Sequence, residues 1–210
     1  MEMNTLDKIR SRWYDLIHGT DTRRRVQLAN QEVVGENKAS GHMYFPILPK
    51  SMHAVLNYLQ ERGLDPATAT FIDMGSGKGI ALLVASGYPF RKIVGVEFGK
   101  ELAEIARRNI AEYRGMRRPK NIEVLCMDAA EYAFPAGALV VYFFNPFARP
   151  VMEKVLKNLA ASLREEPRAV TVICDRLHDR ELVEQHLNPE KREVFLGFSF
   201  YSKMKLQTTH

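Results

Sequence analysis

Short apolar runs alternate with longer amphipathic stretches through most of the chain. Five runs are predicted as strands: 68–74, 92–98, 122–127, 138–144 and 169–174. The fourth is apolar at every position, as a central parallel strand buried on both faces should be. The stretches between them carry apolar residues at three- and four-residue spacing, which predicts helices: 78–86, 100–114, 150–163 and 181–187. This alternation predicts a mostly parallel sheet with right-handed crossovers and helices on both faces.

The two ends of the chain add further elements. Apolar residues at helical spacing predict an amphipathic first helix that ends near Gly19 and must bury its stripe: Leu6, Ile9, Trp13, Leu16 and Ile17. A second helix is predicted from Pro49 to Gly63. Near the C-terminus, 192–198 and 202–206 predict two more strands, with the turn of a hairpin at Phe200 and Tyr201. The predicted fold is therefore a Rossmann-like α/β sheet of seven strands, mostly parallel, with an antiparallel C-terminal hairpin.

The size and composition of the chain favour a single domain. With 210 residues and 46% hydrophobic composition, residues 49–210 are long enough for one α/β domain, and residues 1–48 form an N-terminal helix and loop extension. Cys126 and Cys174 lie within apolar runs, where we expect buried, reduced thiols rather than a disulfide scaffold. No run approaches the roughly 20 apolar residues of a membrane span, and the N-terminus lacks a signal peptide's apolar core. We expect a cytoplasmic protein with no membrane partner.

The charge distribution leaves two interpretations open. The net charge is +5, and residues 91–120 hold nine Lys or Arg against four Glu. A basic surface of this kind attracts nucleic acid, but it is also what a solvated helix and loop look like.

A glycine-rich turn follows the first predicted strand, where a ligand can approach the backbone closely. The segment from Phe71 to Gly79 reads F-I-D-M-G-S-G-K-G. A phosphate-binding P-loop is excluded, because Lys78 is followed by Gly79 and no glycine lies five residues before Gly77. The dinucleotide fingerprint fits poorly, because Ile80 occupies the position of its third small residue.

Acidic residues close the next two predicted strands. Glu97 ends the second strand, 24 positions after Asp73, and Asp128 follows the third strand beside Ala129. Each position alone suits a helix cap. Their order and spacing, at the carboxyl ends of neighbouring strands, favour a shared ligand site.

These residues resemble motif I and the following strand ends of the class I S-adenosylmethionine-dependent methyltransferases. The resemblance implies that the cofactor is S-adenosylmethionine and that its methionine part is wrapped by Gly75, Ser76, Gly77 and Gly79. It further implies that Asp73 orders the turn or meets the cofactor's amino group, and that Glu97 accepts both ribose hydroxyls. The adenine would lie against Phe98, with Asp128 and the Ala129 backbone at its edge.

The fourth predicted strand ends in Asn145-Pro146-Phe147, where methyltransferases of this superfamily bring the acceptor to the methyl group. The segment resembles the Asn-Pro-Pro-Tyr/Phe element of enzymes that methylate adenine or glutamine nitrogens, with one proline missing. By this resemblance the three residues are the catalytic candidates, and Asn145 also contacts the cofactor. The alternative is a helix entry capped by Asn145, with Pro150 in the first turn.

Along its whole length the chain also resembles a family of uncharacterised bacterial methyltransferases. The matching elements are Gly19-Thr20-Asp21-Thr22, Gly41 to Tyr44, the glycine turn, Gly95-Val96-Glu97 and Asn145-Pro146-Phe147. A weaker similarity runs to non-SET lysine methyltransferases, whose loop before the first core helix covers the cofactor. It implies that residues 1–48 cap the cofactor site and that Tyr44 lines it.

The leading hypothesis is therefore an S-adenosylmethionine-dependent methyltransferase acting on a nitrogen of a protein or small molecule. One alternative is an RNA or DNA methyltransferase, and another is a non-catalytic S-adenosylmethionine-binding module. The six histidines show no metal-ligand spacing, so no metal is expected.

Overall fold

The computed structural model describes residues 5–23, 46–119, 121–144, 146–175 and 180–203. The helices are α1 (Thr5–His18), α2 (Pro49–Glu61), α3 (Ile80–Ala85), α4 (Lys100–Glu112), α5 (Arg149–Glu165) and α6 (Arg180–Leu187). The strands are β1 (Ala69–Met74), β2 (Lys92–Glu97), β3 (Ile122–Cys126), β4 (Ala138–Phe144), β5 (Val170–Asp175), β6 (Lys191–Phe195) and β7 (Phe198–Lys203).

All seven strands form one sheet in the order β3-β2-β1-β4-β5-β7-β6. Strands β1 to β5 are parallel to their neighbours, and β7 pairs antiparallel with both β5 and β6. The predicted fold class is confirmed. From β1 the chain adds strands outward to β2 and β3, and then returns to place β4 and β5 on the other side of β1. The carboxyl ends of β1 and β4 therefore border the crevice in which ligands of open α/β sheets bind.

The sheet is buried between two apolar layers. Alternate residues of each strand point to opposite faces, so Ile72 and Met74 join the layer under α5 and α6, while Phe71 joins the layer under α2 and α3. Strand β1 is buried at every position. This two-sided burial explains why the central strands are continuous apolar runs rather than alternating ones.

The predicted hairpin exists, but the predicted position of its turn is wrong. The turn lies at Leu196 and Gly197, which have φ angles of 50° and 85°, and not at Phe200 and Tyr201. Those two aromatic residues lie within β7 and are 2% and 1% exposed. A tight hairpin turn needs positive φ, which glycine supplies, and the aromatic residues contribute more stability inside the core than at a turn.

Helix α1 does not bury its apolar stripe within the described residues, contrary to the sequence expectation. The five stripe residues are 48–69% exposed: Leu6, Ile9, Trp13, Leu16 and Ile17. The helix contacts the rest of the protein through its opposite face, where Tyr14 Oη donates to Tyr113 Oη at 3.3 Å. Asp7 on the same face pairs with Lys50 at 3.1 Å. Polar and aromatic contacts therefore set the orientation of α1.

Two smaller expectations also change. Helix α3 begins at Ile80 rather than Lys78, because Gly79 precedes it in the left-handed conformation with φ 82°. Cys174 is buried as expected, whereas Cys126 is only partly buried, and both thiols are free.

Among the residues that the structure describes, no helix is long and apolar enough to cross a membrane.

Gly95 in β2 lies directly under the glycine turn and α3, with no room for a side chain. A Cβ at this position would lie 2.6 Å from Leu82 Cδ1, 2.7 Å from Ser76 Oγ and 3.0 Å from Ser76 Cβ. We predict that Gly95→Ala lowers the free energy of unfolding by about 1–3 kcal/mol, the usual cost of overpacking.

The control is Gly87→Ala, whose Cβ would meet no atom closer than 3.4 Å and which changes the unfolded chain in the same way. Urea denaturation of both variants measures the difference. Equal stabilities would contradict the packing account.

Candidate functional site

The glycine turn between β1 and α3 forms the floor of the site. Gly75, Gly77 and Gly79 all have positive φ, at 83°, 53° and 82°. The Gly75 and Ser76 amides both donate to the carbonyl of Val96 in β2, at 2.8 and 3.0 Å. Positive φ at three alternate positions explains why this turn is written with glycines.

Glu97, the last residue of β2, ties the turn to the neighbouring strand end. Its Oε2 accepts a hydrogen bond from the Gly77 amide at 2.7 Å, and its Oε1 accepts one from the Gly99 amide at 2.9 Å. The side chain is only 3% exposed. Burial raises the pKa of Glu97 to about 7, against the lowering effect of these backbone donors. The carboxylate therefore lies inside the site and is held by two separate loops.

Asp73 lies beside Glu97 at the end of β1. It is aligned with Gly95 of β2 in the parallel register and is 3% exposed. Burial, with a smaller contribution from the Glu97 charge, raises its pKa to about 8. Two carboxyl groups of this kind compete for ionisation, because a buried negative charge disfavours a second one nearby.

Asp128 follows β3 and completes the row of acidic strand ends. Its side chain accepts a hydrogen bond from the Ala130 amide at 2.9 Å and caps a 3₁₀ turn over Ala129–Glu131. Both Asp128 and Ala129 are buried, at 6% and 3% exposure, and Phe98 after β2 is partly buried. The backbone amide of Met127 donates to the Glu97 carbonyl at 3.0 Å, so the ends of β2 and β3 lie side by side.

The end of β4 meets the glycine turn directly. A Cβ on Gly75 would lie 2.4 Å from Cβ of Pro146, so only glycine fits against this proline. Phe147 is partly buried and packs against the core layer under α5. Asn145 and Tyr44 lie outside the described residues, so their predicted roles stay predictions.

Three residues that were not among the sequence candidates also help to hold the turn: Lys78 within it, and Asp21 and Asn109 outside it. Lys78 is fully buried, and its Nζ lies 3.0 Å from Oδ2 of Asp21, from the segment after α1. Asn109 of α4 donates from Nδ2 to the Lys78 carbonyl at 2.9 Å. The signals in the sequence were the lysine inside the glycine turn and the Gly-Thr-Asp-Thr element, which motif matching alone did not connect.

The described residues form no candidate metal site. Within the described ranges, no group of three or more His, Cys, Asp or Glu side chains could hold a metal ion.

Residues 71–166 match a family model described as a methyltransferase domain, which covers β1 to α5 and thus the glycine turn and all the strand ends above. The matched segment is a little under half of the chain, and it is similar to methyltransferase domains. No curated protein matches this sequence.

Solved structures with the same fold support this assignment at the level of the fold. One is a predicted N6-adenine-specific DNA methylase from Listeria monocytogenes, with 15% identity, a TM-score of 0.56 and coverage of 76% of this chain and 51% of that chain. Another is magnesium protoporphyrin IX methyltransferase from Synechocystis PCC 6803 with bound S-adenosylmethionine, with 14% identity, a TM-score of 0.53 and coverage of 96% and 98%.

A third is a ribosomal protein L11 methylase from Lactobacillus delbrueckii subsp. bulgaricus, with 15% identity, a TM-score of 0.51 and coverage of 73% and 77%. The chain spans about half the length of the first of these proteins. The chain therefore shares with these methyltransferase structures the fold that the sequence resemblance implied.

The buried carboxyl of Asp73 predicts a pH dependence of stability. Because its pKa is raised from 3.8 to about 8, the folded state holds a proton that the unfolded state has lost between these pH values. The free energy of unfolding should therefore fall as pH rises through this window, by up to about 1.4 kcal/mol per pH unit.

Asp73→Asn removes the titrating group, so its stability should fall less steeply between pH 5 and 8. Urea unfolding at several pH values measures the slope, with Glu104→Gln on the exposed face of α4 as the control. A slope in Asp73→Asn as steep as that of the unmodified protein would show that this carboxyl does not hold the proton.

Proposed function

We propose that the methyltransferase domain binds S-adenosylmethionine across the carboxyl ends of β1, β2 and β3 and transfers its methyl group to an acceptor at the end of β4. The observation that carries this proposal is the buried Glu97 carboxylate, which bonds to the glycine turn and lies between Asp73 and Asp128 along one edge of the sheet. Bound S-adenosylmethionine supplies an activated methyl group, so the protein's work is to bind and align.

The residues at β2 fit a ribose. A carboxylate has about four acceptor positions, and on Glu97 the Gly77 and Gly99 amides bond to one oxygen each, with the Phe98 amide as a further donor. The remaining capacity can accept from the ribose hydroxyls, and ionised acceptors form the stronger hydrogen bonds. The pKa of about 7 means that this acceptor is fully charged only in mildly alkaline solution.

The residues after β3 fit an adenine. Asp128 is fixed by its bond to the Ala130 amide, and a carboxylate is the kind of group that accepts from an exocyclic amino group. Phe98, partly buried on the adjacent loop, offers an aromatic face for stacking. We assign Asp128, Ala129 and Phe98 to the adenine subsite, and Gly75, Ser76, Gly77 and Gly79, with Asp73, to the methionine subsite.

The end of β4 is the place for the acceptor. Pro146 packs against Gly75, so this segment and the methionine subsite share one surface. An acceptor held there is aligned for in-line attack, and alignment with exclusion of water can supply on the order of 7–11 kcal/mol of the barrier. Asn145, Pro146 and Phe147 are the residues that we propose hold it.

We favour a protein or small-molecule acceptor over nucleic acid. The exposed arginines that suggested nucleic acid include Arg114, Arg117 and Arg118, which follow the C-terminal end of α4. The Arg118 amide donates to the carbonyl of Ser86, just after α3. The segment that holds these arginines connects α4 to the amino end of β3. This basic cluster therefore lies at the opposite end of the sheet from the proposed site. A cytoplasmic location and the absence of a membrane partner stay predictions.

Glu97→Gln tests the cofactor site with little change in shape. Because the amide loses one acceptor oxygen and the negative charge, we expect S-adenosylmethionine and S-adenosylhomocysteine to bind about 10- to 150-fold more weakly, the range for a charged hydrogen bond. Isothermal titration calorimetry at pH 8 measures both affinities. Glu104→Gln should bind like the unmodified protein, and absence of binding by the unmodified protein would overturn the proposal.

The acceptor class is tested by methylation of cell fractions with radiolabelled S-adenosylmethionine. We expect the label in products that are sensitive to protease or that pass a dialysis membrane, and not in products destroyed by nuclease. Nuclease-sensitive label would favour the RNA or DNA alternative. Cofactor binding without label in any fraction would favour the non-catalytic binding module.

A further inference from the structure

We infer that Asp21 and Lys78 are positioning residues that hold the glycine turn in its binding conformation, so that cofactor affinity depends on the segment after α1. This inference rests on the proposed function. It assigns a role to an N-terminal element and to a buried lysine, neither of which contributes an atom to the cofactor subsites proposed above.

The Lys78 side chain lies in an unusual position for a cation. It is 0% exposed, and its Nζ donates to Oδ2 of Asp21 at 3.0 Å. The Asp21 side chain is 49% exposed, so it is the buried Lys78 ammonium that would be left without its charge partner if Asp21 were neutralised. An uncompensated buried charge is far more disruptive than an exposed one. Because Lys78 lies between Gly77 and Gly79, any displacement of its side chain acts on the turn itself.

The backbone of Asp21 is held by two hydrogen bonds to the Asn109 side chain. Its amide donates to Oδ1 of Asn109 at 2.8 Å, and its carbonyl accepts from Nδ2 of Asn109 at 3.2 Å. Nδ2 of Asn109, a residue that is 3% exposed, also donates to the Lys78 carbonyl at 2.9 Å. One buried amide thus joins α4, the glycine turn and the N-terminal segment.

The turn that presents Asp21 is closed on α1. Oδ1 of Asp15 accepts hydrogen bonds from the hydroxyls of Thr20 and Thr22, at 2.8 and 2.7 Å, and the Thr22 amide donates to the same carboxylate. Gly19 precedes the turn with φ 69°. These bonds explain the Gly-Thr-Asp-Thr element in full: glycine ends the helix, the threonines fix the turn, and the aspartate pairs with Lys78.

The contacts then continue to the cofactor site. The Gly77 amide, one residue before Lys78, is the donor to Glu97 Oε2 at 2.7 Å. Asp21, Lys78, Gly77 and Glu97 are therefore joined in sequence from the N-terminal segment to the proposed ribose acceptor. A loss of charge at Asp21 should be felt as a change at the Gly77 amide.

Three variants measured by calorimetry with S-adenosylhomocysteine test this coupling. We expect Asp21→Asn to raise Kd at least tenfold, because Lys78 then carries an unpaired buried charge. We expect the double variant Asp21→Asn with Lys78→Met to bind within about threefold of the unmodified protein, because the charge that lacked a partner is gone and the methionine still fills the space. Such recovery would not follow from a general loss of stability, which each added substitution deepens.

Asp7→Asn is the matched control. It breaks another ion pair between α1 and the body, with Lys50 at 3.1 Å, but the lysine of this pair is 58% exposed and does not touch the turn. We expect its Kd to stay within twofold. Amide NMR of the ligand-free proteins adds a second readout, in which the Gly77 signal should shift in Asp21→Asn and not in Asp7→Asn.

The outcomes separate the two proposals. If the unmodified protein does not bind S-adenosylhomocysteine, the proposed function fails and the inference fails with it. If it binds, and Asp21→Asn binds equally well with an unchanged Gly77 signal, the proposed function stands and the inference alone is overturned. A double variant weaker than Asp21→Asn would also overturn it, because the pair would then be no more than a source of stability.

Discussion

The hydrogen bond from the Gly77 amide to the Glu97 carboxylate, at 2.7 Å, is the contact on which the arrangement of the site depends. It joins the turn after β1 to the end of β2 inside a space where both groups are almost free of water. A buried carboxylate is costly unless backbone donors satisfy it, and here the donors come from the loops that a ligand would also contact. The same hydrogen bond therefore shapes the turn and keeps the Glu97 carboxylate, a hydrogen-bond acceptor, inside the site.

Burial also explains the site's electrostatics. Asp73 and Glu97 lie in neighbouring strands with pKa values raised to about 8 and about 7, so near neutral pH the folded protein holds protons that exposed carboxyls would release. This is a local cost in stability, which the continuous apolar packing on both faces of the sheet offsets. Sites that bind charged or strongly polar ligands commonly retain such groups in place of better packing.

Much of the fold and the conformation of the glycine turn could be predicted from the sequence, because both depend on local patterns. Buried parallel strands appear as apolar runs, and the turn before α3 needs glycine at Gly75, Gly77 and Gly79. The position of the C-terminal hairpin was missed because Phe200 and Tyr201 fit either a strand or its end, and only the positive φ at Leu196 and Gly197 decides between them.

The orientation of α1 and the pairing of Asp21 with Lys78 could not be predicted in this way. The helical spacing of Trp13 and its apolar neighbours shows that a stripe exists, but the polar contacts of the opposite face decide where it points. Asp21 and Lys78 are 57 residues apart, and nothing in either local pattern indicates the other. Long-range polar pairs of this kind become visible only in three dimensions.

A crystal structure with S-adenosylhomocysteine tests the central claim most directly, because it shows which atoms the ligand contacts. The account predicts both ribose hydroxyls within hydrogen-bond distance of Glu97, the adenine amino group at Asp128, and the methionine part over the turn from Gly75 to Gly79. A ligand bound elsewhere on the sheet, or one whose ribose makes no contact with Glu97, would contradict it.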